Sequence, residues 1–466
     1  MSLSHVPKKW DGEADVIVIG GGNTGLPAAI TANDKGAKVI VLEASSGMAS
    51  SLAMIAGGTP FACTDIQKEK GIKDTAEALY EEAVKTTGGS PELWRAIADR
   101  QLETYEWLKS IGAKPVLLLL APGQRVMRSI RFEGHGPGLC KVLRQAADDR
   151  KIEILQKHRA EKLILDPVKG RVIGVSAKVG NKALNFRARK AVILTTGGFC
   201  RNMELVKEYG PEYTECIPTA PPTHMGDGLK MALAAGAATA GIGLAVCPSM
   251  PACAVTGHSL SVGGFGGIIV NRDGQRWTNE VVPPMGSYTL SFKELLKYDP
   301  SGLHYYIFDE GVNKATPPGA ARREKIFSAD TIAGLEKALG IAPGALKTTI
   351  NEFNTDIEKH GYDTKFGRRQ QGMMDVNEPP KKLDKPPYYG IKCKVCLTSM
   401  KGGLKINPKN QVIDQFGDVI PGLYAAGEIA GGLMGIPSHY YTGTMTLQAF
   451  VQGRIAGDMA ADEVSN

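Results

Sequence analysis

Four neighbouring side chains near the C-terminus have the chemistry to move protons. Ser438, His439, Tyr440 and Tyr441 lie in the stretch MGIPSHYYTGTMTLQAF, directly before an apolar run typical of a helix. A tyrosine in an apolar cleft can donate a strong hydrogen bond to a developing enolate oxygen, and a histidine titrates close to neutral pH. The same residues could pack under a bound group or cap the helix, so their role depends on what the rest of the chain binds.

A basic segment further upstream is the second group that could act on a substrate. In RVMRSIRFEGHGPG, Arg128 and Arg131 lie three residues apart, and His135 stands just before a Gly-Pro-Gly turn. Arginine binds carboxylates through paired N–H donors, so this segment could hold an acidic substrate. A solvated charged strand has the same pattern, and the sequence leaves both interpretations open.

The N-terminal segment DVIVIGGGNTGLPAAITANDKGAKVIVLEAS predicts a strand, a glycine turn, a helix and a second strand. Gly20, Gly22 and Gly25 form G-x-G-x-x-G, in which successive glycines permit a tight turn, the approach of a pyrophosphate and close helix–strand packing. The helix N-terminus offers N–H groups to the phosphates. Glu43 ends the second strand and is placed to accept from ribose hydroxyls. The segment predicts a bound dinucleotide, and three further residues are expected to contact it: Asn23, Thr24 and Ala44.

Two later segments favour FAD over NAD. KAVILTTGGFCRN predicts a third buried strand followed by Thr196, Gly197 and Gly198, and VIPGLYAAGEIAGGLMG predicts a fourth that ends at Gly427 and Glu428. A chain that holds FAD along its length brings a strand, a glycine and an acid back towards the isoalloxazine ring, whereas a simple NAD domain has no need of this return. The segment between is therefore predicted to be an inserted domain.

Length and composition limit the other functions. A chain of 466 residues predicts two domains. The net charge of +7 is spread along the chain, which argues against nucleic acid binding and suits an anionic cofactor or substrate. No stretch approaches the roughly 20 apolar residues of a membrane helix, and the N-terminus has no apolar signal core. Eight scattered cysteines predict reduced thiols with no metal site, and therefore a cytoplasmic protein.

Five motifs together resemble the flavoprotein family of fumarate reductase and succinate dehydrogenase, which includes the 3-ketosteroid 1-dehydrogenases: VIVIGGGNTGLPAAITA, TTGGF, GDGLKMALAAGA, GGIIVNRDGQRWTNE and VIPGLYAAGEIAGG. The resemblance implies an α/β fold, with a Rossmann-like FAD-binding domain of the glutathione-reductase type and an inserted α+β capping domain. The implied limits are 10–243 and 397–462 for the FAD-binding domain, and 244–396 for the capping domain.

The resemblance also implies how FAD is held. Family members with a covalent flavin carry a histidine shortly after the second strand, whereas GMASSLAMIAGG has none, so we expect non-covalent FAD. Ser50 and Ser51 would lie near the flavin, or merely cap a helix. The other implied contacts are Gly57, Gly58, Asp227, Gly443, Thr444, Thr446 and Leu447.

Enzymes of this family move a hydride between flavin N5 and a carbon, while a protein acid or base handles the proton on the neighbouring carbon. Fumarate-type members bind two carboxylates, and three of the positions they use are replaced here. Pro284 stands where the proton-delivering arginine is expected, and Ser399 where the histidine of H-T-x-G-G is expected. Tyr440 or a neighbour replaces the late arginine. The resemblance thus argues against a fumarate or succinate enzyme of the usual kind.

The tail resembles the ketosteroid dehydrogenases more closely, since MKGGL is similar to their TKGGL. In those enzymes one tyrosine polarises the ketone and another takes the proton. The first aligns with Ser438 and the second with Pro284, four residues before Tyr288. The implied proton carriers are Tyr440, Tyr441, His439 and Tyr288, and the implied substrate contacts are Arg128, Arg131, His135 and Ser438.

These observations leave three hypotheses. The first is an FAD-dependent oxidoreductase that acts on a CH–CH bond next to a carbonyl, with a ketosteroid-like or cyclic ketone as substrate or product. The second is reduction of an unsaturated carboxylic acid in the manner of fumarate reductase, with Arg128 and Arg131 replacing the missing arginines. The third is a non-catalytic flavin subunit for electron transfer, which would need no substrate cleft. The expected partners are a small-molecule substrate and an unidentified electron donor or acceptor, with no nucleic acid and no membrane span.

Overall fold

The structure, a computed structural model, describes residues 6–47, 50–54, 58–121, 124–246, 249–251, 266–281, 294–316, 326–372, 378–435 and 441–464. The chain divides into two compact units. The first comprises Met1–Gly210, Ala220–Ala245 and Ser399–Asn466, and the second comprises Pro211–Thr219 and Val246–Thr398. The predicted first domain, 10–243, includes 211–219, whereas the structure groups this segment with the second unit, because its strand Ile217–Pro218 pairs with Tyr388–Leu397.

The strands, in chain order, are β1 (Gly12–Ile19), β2 (Val39–Glu43), β3 (Thr59–Pro60), β4 (Pro115–Leu119), β5 (Ser129–Phe132), β6 (Glu153–Gln156), β7 (Arg159–Leu165), β8 (Val172–Val179), β9 (Lys182–Leu194), β10 (Ile217–Pro218), β11 (Thr239–Val246), β12 (Ser249–Pro251), β13 (Ile268–Asn271), β14 (Leu303–Asp309), β15 (Ile326–Ala329), β16 (Tyr388–Leu397), β17 (Ser399–Leu404), β18 (Gln411–Ile413) and β19 (Val419–Ala425). The helices are α1 (Gly25–Asp34), α2 (Asp65–Glu69), α3 (Ala76–Thr87), α4 (Pro91–Ser110), α5 (His135–Asp149), α6 (Met203–Tyr209), α7 (Asp227–Ala234), α8 (described over 294–298), α9 (Glu310–Ala315), α10 (Ile332–Leu339), α11 (Ala345–His360) and α12 (Thr444–Asp462).

The first unit is built around an eight-stranded sheet. Its order is β18-β19-β9-β1-β2-β6, with β8 on β9 and β7 on β8. The strands β19, β9, β1, β2 and β6 run parallel. All five residues of β2 and the last four of β1 are buried and apolar except Glu43, which is typical of parallel strands covered on both faces.

The carboxyl ends of these parallel strands meet at one edge. Ile19 lies beside both Leu42 and Leu194, and Ala425 lies beside Leu194 on the other side. The chain passes from β1 through α1 to β2, while β9 pairs with the opposite side of β1, so the strand order reverses at β1. Ligands of open parallel sheets bind at such an edge, at the point of reversal. The C-terminal helix α12 packs against α1, which brings the two distant ends of the chain together.

The helices α3 and α4 form a hairpin in the same unit. Thr75 and Ser90 cap the two N-termini by accepting from the backbone N–H groups of Ala78 and Leu93. Gly88, in the left-handed conformation, ends α3. The hairpin turn is therefore short and fixed at both sides.

The second unit has a six-stranded sheet with β16 paired to β10, β12, β14 and β15, and β13 paired to β14. Its apolar core lies between this sheet and the helices α10 and α11. Four charged side chains are buried beside that core, two of them over the ring of Phe353: Arg276, Glu280, Asp363 and Arg368.

Within the described part of the chain, no helix has the length and apolar character needed to cross a membrane. Over the same residues, no group of three or more histidine, cysteine or acidic side chains is arranged to hold a metal ion.

Candidate functional site

The turn after β1 leaves open space in front of a helix N-terminus. Gly20 has φ +103°, and a Cβ on Gly25 would lie 1.8 Å from the carbonyl oxygen of Gly20, so both positions require glycine. Thr195 ties the turn to β9 by donating to the same carbonyl at 2.9 Å. Gly22 faces open space, since a Cβ there would find its nearest atom, Ser50 Oγ, at 3.9 Å. The backbone at Gly22 therefore leaves room for a phosphate beside α1.

Glu43 closes this turn from the end of β2. Its buried carboxylate accepts from the backbone N–H of Gly21 through Oε2 (2.8 Å) and from that of Ser45 through Oε1 (2.7 Å). Each carboxylate oxygen can accept two hydrogen bonds, so both keep capacity for ribose hydroxyls. The structure adds a second task to the one predicted, because Glu43 also holds the glycine turn.

The other residues predicted near the nucleotide surround the same turn. Asn23 Oδ1 accepts from the buried hydroxyl of Ser50 at 3.0 Å, Thr24 precedes the first residue of α1, and Ala44 is half-buried after β2. The hydroxyl of Ser50 also accepts from the backbone N–H of Leu52 at 3.2 Å. Ser50 therefore joins the glycine turn to the segment that follows β2.

A second polar cluster forms where β9 and β19 end. Ser399 Oγ donates to Glu428 Oε1 at 2.6 Å, and His224 Nδ1 lies 3.6 Å from Glu428 Oε2. The backbone of Gly197 and Gly198 lies directly against these side chains. A Cβ on Gly197 would be 2.5 Å from the ring of His224, and one on Gly198 would be 2.2 Å from Glu428 Oε1. Glycine is therefore needed where the chain passes under the pair.

Ser51 links this cluster to the first turn, since its hydroxyl lies 3.4 Å from His224 Nε2. Thr196 Oγ1 and His224 Nδ1 are among the buried polar atoms of the described residues that lack a hydrogen-bond partner. Buried polar atoms are nearly always paired, so a polar ligand in this crevice would supply the hydrogen-bond partners that these two atoms lack. His224 was not among the site residues predicted from the sequence. The only indication in the sequence is its position two residues before the G-D-G motif at the start of α7.

A small hollow, partly open to solvent, lies at the start of α12. It is lined by Lys401, Glu428, Met434, Met445 and Gln448, with glycine backbone between them. Lys401 is only 2% exposed, so a buried lysine and the partly buried carboxylate of Glu428 line the same hollow. Lys401 belongs to the M-K-G-G-L motif, from which no role for this lysine was predicted.

The predicted contacts in α12 form its first turn. Gly443 has φ +86° and precedes the helix, and a Cβ there would lie 2.7 Å from the carbonyl oxygen of Gly58. Thr444 Oγ1 donates to the carbonyl oxygen of Tyr441 at 2.5 Å. Thr446 and Leu447 are buried. This arrangement places the start of α12 against the segment before β3.

Asp227, also predicted to contact FAD, makes a different contact. It begins α7, and its carboxylate accepts from Arg159 Nε and Nη2 at 2.7 and 2.8 Å. Arg159 is 47% exposed in this pair. The side chain of Asp227 thus points to a surface arginine, and its predicted role at the cofactor stays a prediction.

Arg128 and Tyr441 are brought together and are both fully buried. Arg128 Nη1 donates to the hydroxyl of Tyr441 at 2.9 Å. Arg131 is half-buried on β5, and His135 is exposed at the start of α5. The substrate role of Arg128 stays a prediction, and its complete burial argues against it.

Five of the predicted site residues lie outside the residues that the structure describes: Gly57, Tyr288, Ser438, His439 and Tyr440.

Comparison with known proteins gives the context of this site. The family model of the FAD binding domain matches residues 15–439. The fumarate reductase (cytochrome) of Shewanella frigidimarina is 32% identical over 463 residues, which span 96% of this chain and 77% of that protein. The urocanate reductase of Eggerthella lenta is 30% identical over 485 residues, spanning 99% and 76%. The solved 3-ketosteroid Δ4-(5α)-dehydrogenase of Rhodococcus jostii RHA1, in complex with 4-androstene-3,17-dione, has a TM-score of 0.79 at 25% identity and covers 97% of this chain and 98% of that one.

The residues at the carboxyl edge fit FAD. The space at Gly22 suits a pyrophosphate, Glu43 has acceptor capacity for a ribose, and Thr196 and His224 present buried polar atoms further along the edge. The chain therefore belongs to the FAD binding domain family of flavoproteins, and it is an FAD-dependent oxidoreductase that acts on a CH–CH group next to a carbonyl or carboxyl group.

Proposed function

We propose that this enzyme reduces a C=C bond conjugated to one carbonyl or carboxyl group, in a substrate that lacks a second carboxylate. The observation that carries the proposal is the environment of Ser399. The family resemblance expects a carboxylate-binding histidine at this position, whereas Ser399 is 1% exposed and donates to Glu428 at 2.6 Å. Because the hydroxyl of Ser399 is bonded to Glu428, the negative charge of that carboxylate lies near the place where a second substrate carboxylate would bind. The two like charges would repel each other.

The direction of the reaction is proposed from the relatives. The two curated relatives above are named as reductases, of fumarate and of urocanate. The structural neighbour with a bound 3-ketosteroid supports a ketone as an alternative to the acid. Conjugation to either group activates the double bond, so the proposed class includes cyclic enones and unsaturated monoacids.

Bound FAD would supply the hydride from N5. The chain's own residues would hold the cofactor non-covalently at Gly22, Glu43, Thr196 and Glu428, and would deliver the proton to the neighbouring carbon. We assign that proton to Tyr440 or His439, with Tyr288 as the other candidate. Tyr440→Phe is then expected to lower kcat by about 10²- to 10⁴-fold while FAD stays bound. An unchanged kcat would remove Tyr440 from the assignment.

The test of the substrate class compares crotonate with fumarate under anaerobic conditions. Both acids carry a trans double bond, and they differ in whether the far substituent is methyl or carboxylate. The FAD-loaded protein is reduced chemically, and the return of the visible flavin absorption is followed after each acid, or cyclohex-2-enone, is added. We expect crotonate or the enone to reoxidise the flavin at least about tenfold faster than fumarate, because a buried charge without a partner is rejected strongly.

Three outcomes would contradict the proposal. Fastest reoxidation by fumarate would restore a dicarboxylate substrate. Bleaching of the oxidised protein by cyclohexanone, with no response to the unsaturated compounds, would establish the dehydrogenase direction. A reduced flavin that reacts with artificial electron acceptors but with none of these substrates would favour an electron-transfer subunit.

A further inference from the structure

A buried charge cluster surrounds Tyr441 in the first unit. Arg128 donates from Nε and Nη2 to the two carboxylate oxygens of Asp74, both at 2.6 Å. Its Nη1 donates to Glu82 Oε1 at 2.5 Å and to the hydroxyl of Tyr441 at 2.9 Å. The hydroxyl of Tyr441 donates in turn to Glu82 Oε1 at 3.0 Å. Arg128 thus makes four hydrogen bonds at zero exposure, with no side-chain surface left for a substrate.

The charges of this cluster fix the protonation of the phenol. Burial, and then the carboxylate of Glu82, raise the pKa of Tyr441 above its ordinary value, although Arg128 lowers it. Tyr441 is therefore a neutral hydrogen-bond donor to Glu82. One arginine faces two carboxylates here, so negative charge is in excess in the cluster. This excess favours the protonated phenol of Tyr441 over its phenolate.

The α3–α4 hairpin binds the chain just before residues 436–440. Trp94 Nε1 donates to the carbonyl oxygen of Leu433 at 3.0 Å. Two backbone bonds from the α3–α4 turn add to this: Ser90 N–H to Gly432 at 2.8 Å, and Gly435 N–H to Thr87 at 2.9 Å. The chain before residue 436 is thus fixed to the hairpin.

Trp94 also contacts the chain after residue 440. Its ring meets that of Tyr441 edge-on, with centroids 6.4 Å apart and an interplanar angle of 74°. Gln124 Nε2 adds a bond to the carbonyl oxygen of Thr442 at 3.2 Å. The hairpin and the charge cluster together therefore hold both flanks of the segment in which the sequence places Ser438, His439 and Tyr440.

We propose that Arg128 is a positioning residue: with Asp74 and Glu82 it locks the hydroxyl of Tyr441, and so fixes where the chain enters α12 after residues 436–440. Tyr441 is then an anchor and not a proton carrier, and Arg128 does not bind the substrate carboxylate. The inference depends on the proposed function, which places the proton carrier in that segment.

The test uses two phenylalanine variants of matched tyrosines. Tyr441→Phe removes only the locked hydroxyl and keeps the ring on Trp94. Tyr105→Phe is the control, because Tyr105 is equally buried and donates to a carboxylate, that of Asp65, outside the cluster. Both variants are expected to shift the urea midpoint by similar amounts. Faster backbone hydrogen exchange in peptides covering 432–443 is expected for Tyr441→Phe alone, a readout that needs no substrate.

Kinetics separate positioning from catalysis. For Tyr441→Phe we expect kcat to fall about tenfold with crotonate and with cyclohexenone alike, because small misplacements of a reacting group are costly, and we expect the shape of the pH profile to persist. Loss of a limb of that profile would instead make Tyr441 the proton carrier. Arg128→Lys keeps the charge and loses the paired geometry, and it is expected to lower kcat with both substrates equally.

Two further results would overturn the proposal. The first is a rise in KM of Arg128→Lys for crotonate but not for the uncharged enone, which would return Arg128 to the substrate site. The second is unchanged hydrogen exchange over 432–443 in Tyr441→Phe. If the wild type reduced none of the substrates, the proposed function would fail, while the exchange measurement would still decide the positioning role.

Discussion

Two buried glutamates, one in each unit, are held in different ways. Glu43 in the first unit accepts hydrogen bonds from the backbone N–H groups of Gly21 and Ser45. Glu280 in the second unit accepts from two arginines, Arg276 Nε at 2.7 Å and Arg368 Nη1 at 3.2 Å, besides one longer bond of 3.3 Å from the backbone N–H of Ile269. Backbone donors belong to the local turn, whereas the arginines carry charges that themselves need partners.

The difference separates a ligand-binding carboxylate from an architectural one. Asp363 completes the second cluster by accepting from Arg276 Nη2 at 2.8 Å, so two cations face two anions with every side chain at most 3% exposed. Burial alone would raise the pKa of Glu280, but Arg276 and Arg368 lower it below its ordinary value. Each charge in this second cluster is thus balanced by an opposite charge within the cluster. At Glu43 the backbone bonds leave acceptor capacity on the carboxylate, which is what a ribose requires.

Removing Arg276 should therefore have the largest effect on stability. Arg276→Met leaves buried Glu280 with Arg368 as its remaining arginine and takes the arginine away from buried Asp363, and breaking a buried pair in this way costs about 3–5 kcal/mol. We expect the free energy of unfolding, measured by urea denaturation, to fall by about that amount.

The control for this variant is Arg144→Met. Arg144 pairs with Asp148 at 3.0 Å with both side chains exposed, at 37% and 48%, and exposed pairs contribute about 0–1 kcal/mol. Equal losses of unfolding free energy in the two variants would show that the buried cluster stabilises the fold no more than an exposed ion pair does.

Glu43→Gln tests the other side of the comparison and should lower the free energy of unfolding less than Arg276→Met, by about 1–3 kcal/mol. The amide can replace one oxygen, but its NH₂ group would face a backbone N–H of Gly21 or Ser45 and could not accept from a ribose. A hydrogen bond to a charged group is worth about 1.5–3 kcal/mol, so we expect FAD to bind the apoprotein about tenfold to hundredfold more weakly. Quenching of flavin fluorescence during titration measures this.

Glu13→Gln is the matched substitution on β1. Glu13 is 39% exposed and pairs with Arg189 at the surface, so it should not change FAD affinity. Identical dissociation constants for the two variants would remove Glu43 from the cofactor site.

The same contrast explains what the sequence could reveal. The environment of Glu43 is local, because the glycine turn, the helix and the acid follow one another within one βαβ segment. The FAD-binding fold was accordingly predicted from the sequence, and the family assignment confirms it. The return of the chain near Glu428 was also readable, because a strand, a glycine and an acid repeat the local pattern.

The charge clusters could not be predicted from the sequence, because each depends on at least one contact between residues that are distant in sequence. Arg276 and Asp363 are 87 residues apart, and Arg128 and Tyr441 are 313 apart. Arg128 has the sequence pattern of a solvated or substrate-binding arginine, and only its burial against Asp74 and Glu82 reveals the structural partners. His224 was not predicted as a site residue for the same reason, because its neighbour Ser51 lies 173 residues before it in the sequence.

A third buried ionisable group, His304 in the second unit, provides the smallest of the three tests. His304 is fully buried, its Nδ1 lies 2.9 Å from the carbonyl oxygen of Gly302, and its ring meets Trp277 edge-on. Burial lowers its pKa to about 4, although the bond to Gly302 raises it in part. Unlike Glu280, His304 therefore keeps its neutral form inside the unit.

The sign of the pH dependence follows from this shift. The unfolded chain protonates His304 below about pH 6.5, whereas the folded protein does so only near pH 4. Stability is therefore lost as pH falls from about 6.5 to about 4, by about 2 kcal/mol at about pH 5. Glu280 does not add to this window, because its lowered pKa places its own loss at more acidic pH. His304→Asn keeps an N–H donor for Gly302 without a titrating ring, so its urea stability should fall about 2 kcal/mol less than that of the wild type between about pH 7.5 and about pH 5. Parallel curves for the two proteins would mean that His304 titrates normally in the fold, and that its burial does not set its protonation.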